Sequence, residues 1–200
     1  MKFWESVTWI VASAGGFTAY GLLTLAVVVG LALSLRWQSQ RWPRLINSEL
    51  HNHLTILSTV FLIVHVGAVW LDPFTHFTAL AVFVPFLSPY RTLWMGLGIV
   101  ALYLGIAIAI STWLRPKIGY RLWRQLHTLT MVIYVVATVH GIFAGSDTHQ
   151  WWAIGTYAGS VCLVGTLFAL RLMHSADEAQ ARQAKRQHIP SRQSLQGKPF

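Results

Sequence analysis

Charge is what this sequence has least of. Lysine, arginine, aspartate and glutamate together make up 10% of its 200 residues, and only six residues are acidic. Soluble domains carry about 25%, so a water-facing globular surface is excluded. Cysteine is nearly missing as well. The single Cys162 cannot build a disulfide framework or a thiolate metal site, and in its apolar run it reads as a small buried hydrophobe. No glycine-rich dinucleotide fingerprint follows a strand-like segment, and the loops are too short for a nucleotide-binding fold. A nicotinamide-dinucleotide site is therefore not expected in these residues.

Long apolar runs are what it has instead. Crossing ~30 Å of hydrocarbon takes about 20 residues, and five runs qualify: 17–35, 54–71, 93–114, 122–143 and 151–172. The first holds neither charge nor proline. The stretch 3–14 before it is apolar but short and carries Glu5, and it reads as an interfacial lead-in rather than a cleaved signal peptide. Segment 73–89 is broken by three prolines, and its expected place is the interface, with a short helix between 75 and 86. The expected fold is an all-α integral membrane bundle of five transmembrane helices, with that short interfacial helix between spans two and three. Its expected parts are an outer interfacial segment over 1–16, a transmembrane domain over 17–174, and a basic tail over 175–200. Within the tail, 176–187 is able to prolong the last helix.

Basic residues orient these spans. Arg36, Arg41 and Arg44 follow the first run; Arg115, Lys117, Arg121 and Arg124 lie between the third and fourth; Arg171, Arg182, Lys185, Arg186, Arg192 and Lys198 close the chain. That places 13 of the 15 basic residues on one side, against Lys2 and Arg91 on the other. By the positive-inside rule the crowded side is cytoplasmic, the amino terminus outside and the carboxyl terminus inside, which suits a bacterial cytoplasmic membrane. The net charge of +9 is then this bias plus a tail, not a nucleic-acid footprint. Trp37, Trp42, Trp113 and Trp123 near one boundary, and Trp70, Trp94, Trp151 and Trp152 near the other, form interfacial belts.

Against this background four of the nine histidines stand out. His51 and His65 are fourteen apart and His127 and His140 thirteen apart, on spans that run in the same direction. Imidazoles inside a bilayer are costly unless used. Equal depths would set His51 across from His127 and His65 across from His140, on two levels about 20 Å apart before tilt. Two haems, one per level, each held by one histidine from each span, is the simplest use. The competing use is a bundle whose histidines bond to each other or to backbone. Phase is a difficulty: at about 100° per residue, fourteen steps end ~40° short of full turns, but thirteen end about 140° short. A locally tightened helix, or a His127 outside regular geometry, would be needed.

Other residues carry weaker signals. Gly67 and Gly141 either give room for a porphyrin edge or serve ordinary helix packing, as the Gly141–Gly145 and Gly155–Gly159 spacings also suggest. Arg124, with Arg121 and Arg44, is a candidate partner for inner propionates, in competition with membrane anchoring. Arg91, beside Tyr90, is the candidate at the outer level. His53 is an alternate ligand, pointing about 160° away from His51 on a helix. His76 and His149, with Asp72 and Asp147, read as solvated loop residues before they read as a metal site.

The segments around His51 and His65 (49–51 and 64–66), Tyr120–His127, and 139–141 around His140 resemble the ferric reductase-like transmembrane domain family. That group takes in ferric reductases, NADPH oxidases, STEAP metalloreductases and the haem-binding membrane subunit of bacterial methionine sulfoxide reductase. The first span from Trp9 and segment 88–94 look like its short bacterial members. The resemblance implies two b-type haems on His51, His65, His127 and His140, with electrons crossing from the cytoplasmic to the outer side. The flavin and nicotinamide domain of full-length members has no counterpart here, so a separate flavoreductase or a quinol is the expected donor, with an acceptor on the outer side. The alternative is a non-catalytic anchor or assembly subunit of a redox complex.

Overall fold

The computed structural model describes residues 2–35, 44–72 and 78–187. Among the described residues eight helices follow in order: α1 (Lys2–Ser34), α2 (Arg44–Leu71), α3 (Ala79–Phe83), α4 (Thr92–Trp113), α5 (Arg115–Ile118), α6 (Tyr120–His127), α7 (Thr130–Ala144) and α8 (Trp151–Gln187). No strand occurs among the described residues. In a bilayer every backbone group must be satisfied inside its own segment, and helices achieve that. Five stretches are long and apolar enough to cross: Val7–Ser34, Leu45–Leu71, Thr92–Trp113, Tyr120–Ala144 and Trp151–Asp177. The protein is an integral membrane protein built as an all-α bundle.

Boundaries differ from the sequence expectation in three places. α1 runs without a break from Lys2, so the stretch ahead of Phe17 is continuous with the first span. α2 starts at Arg44, which sets His51 two turns inside the helix rather than at its start. The fourth span is two helices, because the chain tightens at Thr128 and Leu129. There the backbone N–H groups of Thr128, Leu129 and Met131 bond carbonyls three residues back, at 3.2, 3.0 and 3.2 Å. Three-residue turns advance about 120° per residue instead of 100°. The tightening takes up part of the phase that the spacing of thirteen left over. At the other end of the chain, α8 extends to Gln187 and carries the polar segment 176–187 as helix.

Short elements join the spans. Thr78 caps α3, its hydroxyl accepting from the Ala81 N–H at 3.2 Å. α3 packs its Ala81 and Val82 on Val66, Val69, Tyr90 and Met95, closing one end of the bundle. Pro116 opens α5, where its missing N–H is harmless. Gly119, at φ 80°, turns the chain from α5 into α6. Trp37, Trp42 and His76 lie outside the described residues. Trp70, Trp113 and Trp151 stand at helix ends and are exposed, as a boundary belt requires.

α1 and α2 are antiparallel and packed along their whole length, α4 packs on α7, and α1 also touches α7 and α8. The main core lies where α1, α7 and α8 meet: Tyr20, Val27, Leu31, Tyr134, Ala153, Tyr157 and Val164. α2 is different. Ile56, Leu57, Val60, Ile63 and Val64 are exposed, an apolar face for lipid. Cys162 is exposed on α8 rather than buried as expected; in this bundle an exposed apolar position is a lipid-facing one.

Candidate functional site

α2 packs on α1, α7 packs on α4 and also on α1, and histidine rings bridge the space between α2 and the α6–α7 rod. The rings of His51 and His127 stand 6.1 Å apart, centre to centre, at 74°. Those of His65 and His140 stand 6.4 Å apart, also at 74°. All four rings are half-buried. The two levels have the same construction, one imidazole from each side.

Three of the four rings are held in the same way. His51 donates its Nδ1–H to the carbonyl of Ala26 at 2.9 Å, His65 to Ala12 at 2.7 Å, and His140 to Trp94 at 2.8 Å. A carbonyl only accepts, so the proton sits on Nδ1 and the Nε2 lone pair is free. That is the tautomer and orientation a metal-bound imidazole takes, with its second nitrogen tied to a backbone oxygen. On α1 the pattern is a register. Ser58, midway between His51 and His65, donates to the carbonyl of Ala19 at 3.0 Å. Ala12, Ala19 and Ala26, seven apart, thus receive His65, Ser58 and His51, also seven apart.

Four residues after each carbonyl that accepts from a histidine stands a glycine. A Cβ on Gly16 would lie 2.7 Å from His65 Nδ1, one on Gly98 would lie 2.6 Å from His140 Nδ1, and one on Gly30 would lie 3.3 Å from His51 Cε1. The rings rest where those side chains are missing. Sequence reading chose Gly67 and Gly141 instead. Gly67 has nothing near its Cβ position, and Gly141 faces the Tyr157 side chain. One signal was available: Gly16 and Gly30 are fourteen apart, as are His51 and His65.

His127 is the exception. Its Nδ1 is buried with no hydrogen-bond partner. Its ring stacks on Trp123 at 4.9 Å and 26°, and Trp123 donates Nε1–H to Thr112 Oγ1 at 3.2 Å. The Arg115 guanidinium lies 4.7 Å over the same indole. Neither Trp123 nor Arg115 was singled out from sequence as part of a site.

The remaining candidates fall elsewhere. His53 is exposed and bonds the carbonyl of Glu49 on its own helix at 2.7 Å, away from the paired rings. Arg124 is exposed on α6, at the level of His127. Arg91 donates to the carbonyls of Phe143 and Gly145, tying α4 to the end of α7. Asp72 accepts from Thr8 Oγ1 at 2.8 Å, and Asp147 from Ser13 Oγ at 3.1 Å. These carboxylates fasten loops to α1, and no cluster of three metal-binding side chains occurs among the described residues.

The residues fit an iron held between two imidazoles. At the two levels the facing imidazoles stand 6.1 and 6.4 Å from each other, and three of the four rings have Nδ1 tied to a carbonyl with Nε2 left to bind a metal, so His51 with His127 and His65 with His140 would be the residues to hold it.

A membrane-spanning helix bundle with paired histidines across it is a membrane redox-type module. The family described as "Ferric reductase like transmembrane component" matches residues 15–138, more than half of the chain, and the protein belongs to it. Members generally bind haem. The match contains His51, His65 and His127 and stops two residues short of His140. No curated protein and no solved structure matches the chain significantly.

Proposed function

We propose that this protein is a membrane b-type cytochrome that passes electrons across the bilayer through two bis-histidine haems. His51 and His127 would hold one, and His65 and His140 the other. The observation that carries the reading is the facing pair of imidazoles, one from α2 and one from the α6–α7 rod, repeated at both levels with 6.1 and 6.4 Å between ring centres. A haem at each level supplies one-electron exchange between ferric and ferrous iron.

The chain's own residues do the rest. Ala12, Ala26 and Trp94 fix three imidazoles by their carbonyls, which limits movement of the ligands between redox states. The fourteen-residue spacing on α2 separates the levels by about 21 Å along the helix, one near each membrane face. Arg124 at the basic end and Arg91 at the opposite end are the candidate propionate partners, and Arg91 has guanidinium N–H groups beyond the one on Phe143. The basic end faces the cytoplasm of a bacterium, where a separate flavoreductase or a quinol delivers electrons; an acceptor takes them outside. The tail over 175–200 lies on the donor side, and segment 1–16 on the acceptor side.

The test is a pyridine haemochrome assay with single substitutions. Two haems per chain are expected. His65→Ala and His140→Ala should leave the same residual spectrum, and His51→Ala and His127→Ala the complementary one. One haem per chain, or different residual spectra within a pair, would overturn the reading.

A further inference from the structure

The four histidines are not equally held, and the difference follows from what stands behind each ring. Behind His51, His65 and His140 is one device: a helix carbonyl that accepts Nδ1–H, and a glycine four residues on. In a helix the carbonyl at position i already accepts the N–H of i+4. With glycine at i+4, no Cβ shields that carbonyl, and an imidazole from the neighbouring helix reaches its second lone pair. Ala12 with Gly16 serves His65, Ala26 with Gly30 serves His51, and Trp94 with Gly98 serves His140. Behind His127, among the described residues, there is no carbonyl partner and no glycine. Its Nδ1 is buried and unpartnered, and its ring meets the face of Trp123 and the ring of His51. It also stands at the last residue of α6, one position before the backbone tightens.

We propose that the carbonyl–glycine pairs make His51, His65 and His140 permanent ligands, and that His127 is the exchangeable one, so a small neutral molecule binds iron at the inner level alone. This rests on the cytochrome reading above. A ring tied at Nδ1 is both a stronger donor and unable to swing away; His127 lacks both restraints. When carbon monoxide binds the reduced protein, the His127 Nε2–iron bond breaks and a carbon–iron bond forms, with no electron gained or lost overall. Gly16, Gly30 and Gly98 are positioning residues.

The experiment is carbon monoxide titration of the dithionite-reduced, haem-loaded full chain, read by absorption difference spectra. Wild type should bind carbon monoxide at one of its two haems, the one that His51→Ala removes. Gly98→Ala and Gly16→Ala, which crowd His140 and His65, should make the second haem reactive too. Gly30→Ala, with the looser contact, should raise carbon monoxide affinity at the inner level and leave the outer untouched. Gly105→Ala, with nothing near its Cβ position, should behave as wild type. Reaction at the outer haem first, at both equally, or at neither would overturn the proposal. So would a folded Gly98→Ala protein with wild-type spectra. A wild-type protein that takes up no haem would overturn the cytochrome reading instead. The arrangement is then tested in the haem-free chain by ring nitrogen NMR. His51, His65 and His140 should hold the proton on Nδ1, with His127 distinct, and four equivalent rings would overturn it.

Discussion

Arg91 donates a guanidinium N–H to the carbonyl oxygen of Phe143, 2.6 Å away. The bond closes the open C-terminal end of α7 with the residue just before α4. Those two helices carry His140 and the Trp94 carbonyl that holds it, so the bond braces the outer histidine level from above. Arg91 makes it from a left-handed backbone, φ 42° and ψ 51°, which costs a non-glycine residue about 1 kcal/mol.

Arg91→Ala should destabilise the protein by about 1–2 kcal/mol, because it removes a charge-assisted bond and keeps the backbone strain. Arg91→Gly loses the same bond but relieves the strain, so it should melt above Arg91→Ala. Thermal unfolding in detergent reads both. Equal melting temperatures for the two variants would show that the strained backbone is not the determinant.

His53→Ala should leave haem content and spectrum unchanged, whereas His51→Ala should remove one haem. The two residues are two apart, but His53 bonds back to Glu49 on the exposed side of α2, and His51 reaches Ala26 across the α1 interface. Loss of haem in His53→Ala would move the inner ligand to the other face of α2.

Gly141→Ala separates two uses of one glycine. The added Cβ would lie 2.5 Å from Tyr157 Oη and 3.1 Å from its Cε1, inside the α1–α7–α8 core. Overpacking of that kind costs about 1–3 kcal/mol. The expected outcome is a lower melting temperature with haem per folded chain unchanged. Haem loss at unchanged stability would return this glycine to the porphyrin.

The difference between Gly141 and Gly98 shows how far the sequence can be read. Spans, their polarity and the paired histidines are local or periodic features, and hydropathy, basic-residue counts and spacing expose them. Gly98 gains its meaning from His140, forty-two residues away, and Gly16 from His65. No pattern within α4 says which neighbour Gly98 faces, and in α1 the one signal is the fourteen-residue spacing of Gly16 and Gly30. The α6–α7 junction was legible only as a misfit. An ideal helix turned His127 away from His140, and the remedy lay in three tightened backbone bonds that no residue type announces. Phe86 was hidden for a similar reason. It sits at φ 66° with its ring over Gly96, a contact made by a loop folding back on the helix that follows it.

A hydroxyl cluster in the bundle core was equally hidden, and it yields the last prediction. Tyr20 and Ser160 share a short hydrogen bond, Tyr134 donates to Ser160 Oγ at 3.1 Å, and Thr138 donates to Tyr20 Oη at 3.2 Å. All four residues are buried, on three helices. In an apolar medium a hydroxyl left without its partner finds no water to replace it, yet measured bonds between membrane helices average only about 0.6 kcal/mol. Tyr20→Phe and Ser160→Ala should each destabilise by about 1 kcal/mol, because each removes hydrogen bonds that link its helix to the other two. The double variant should cost clearly less than the sum, since the bond that Tyr20 and Ser160 share is lost in either single variant and counts only once in the double. A double-mutant cycle on unfolding free energy measures this. Strict additivity would mean that Tyr20 and Ser160 are neighbours without being energetically coupled.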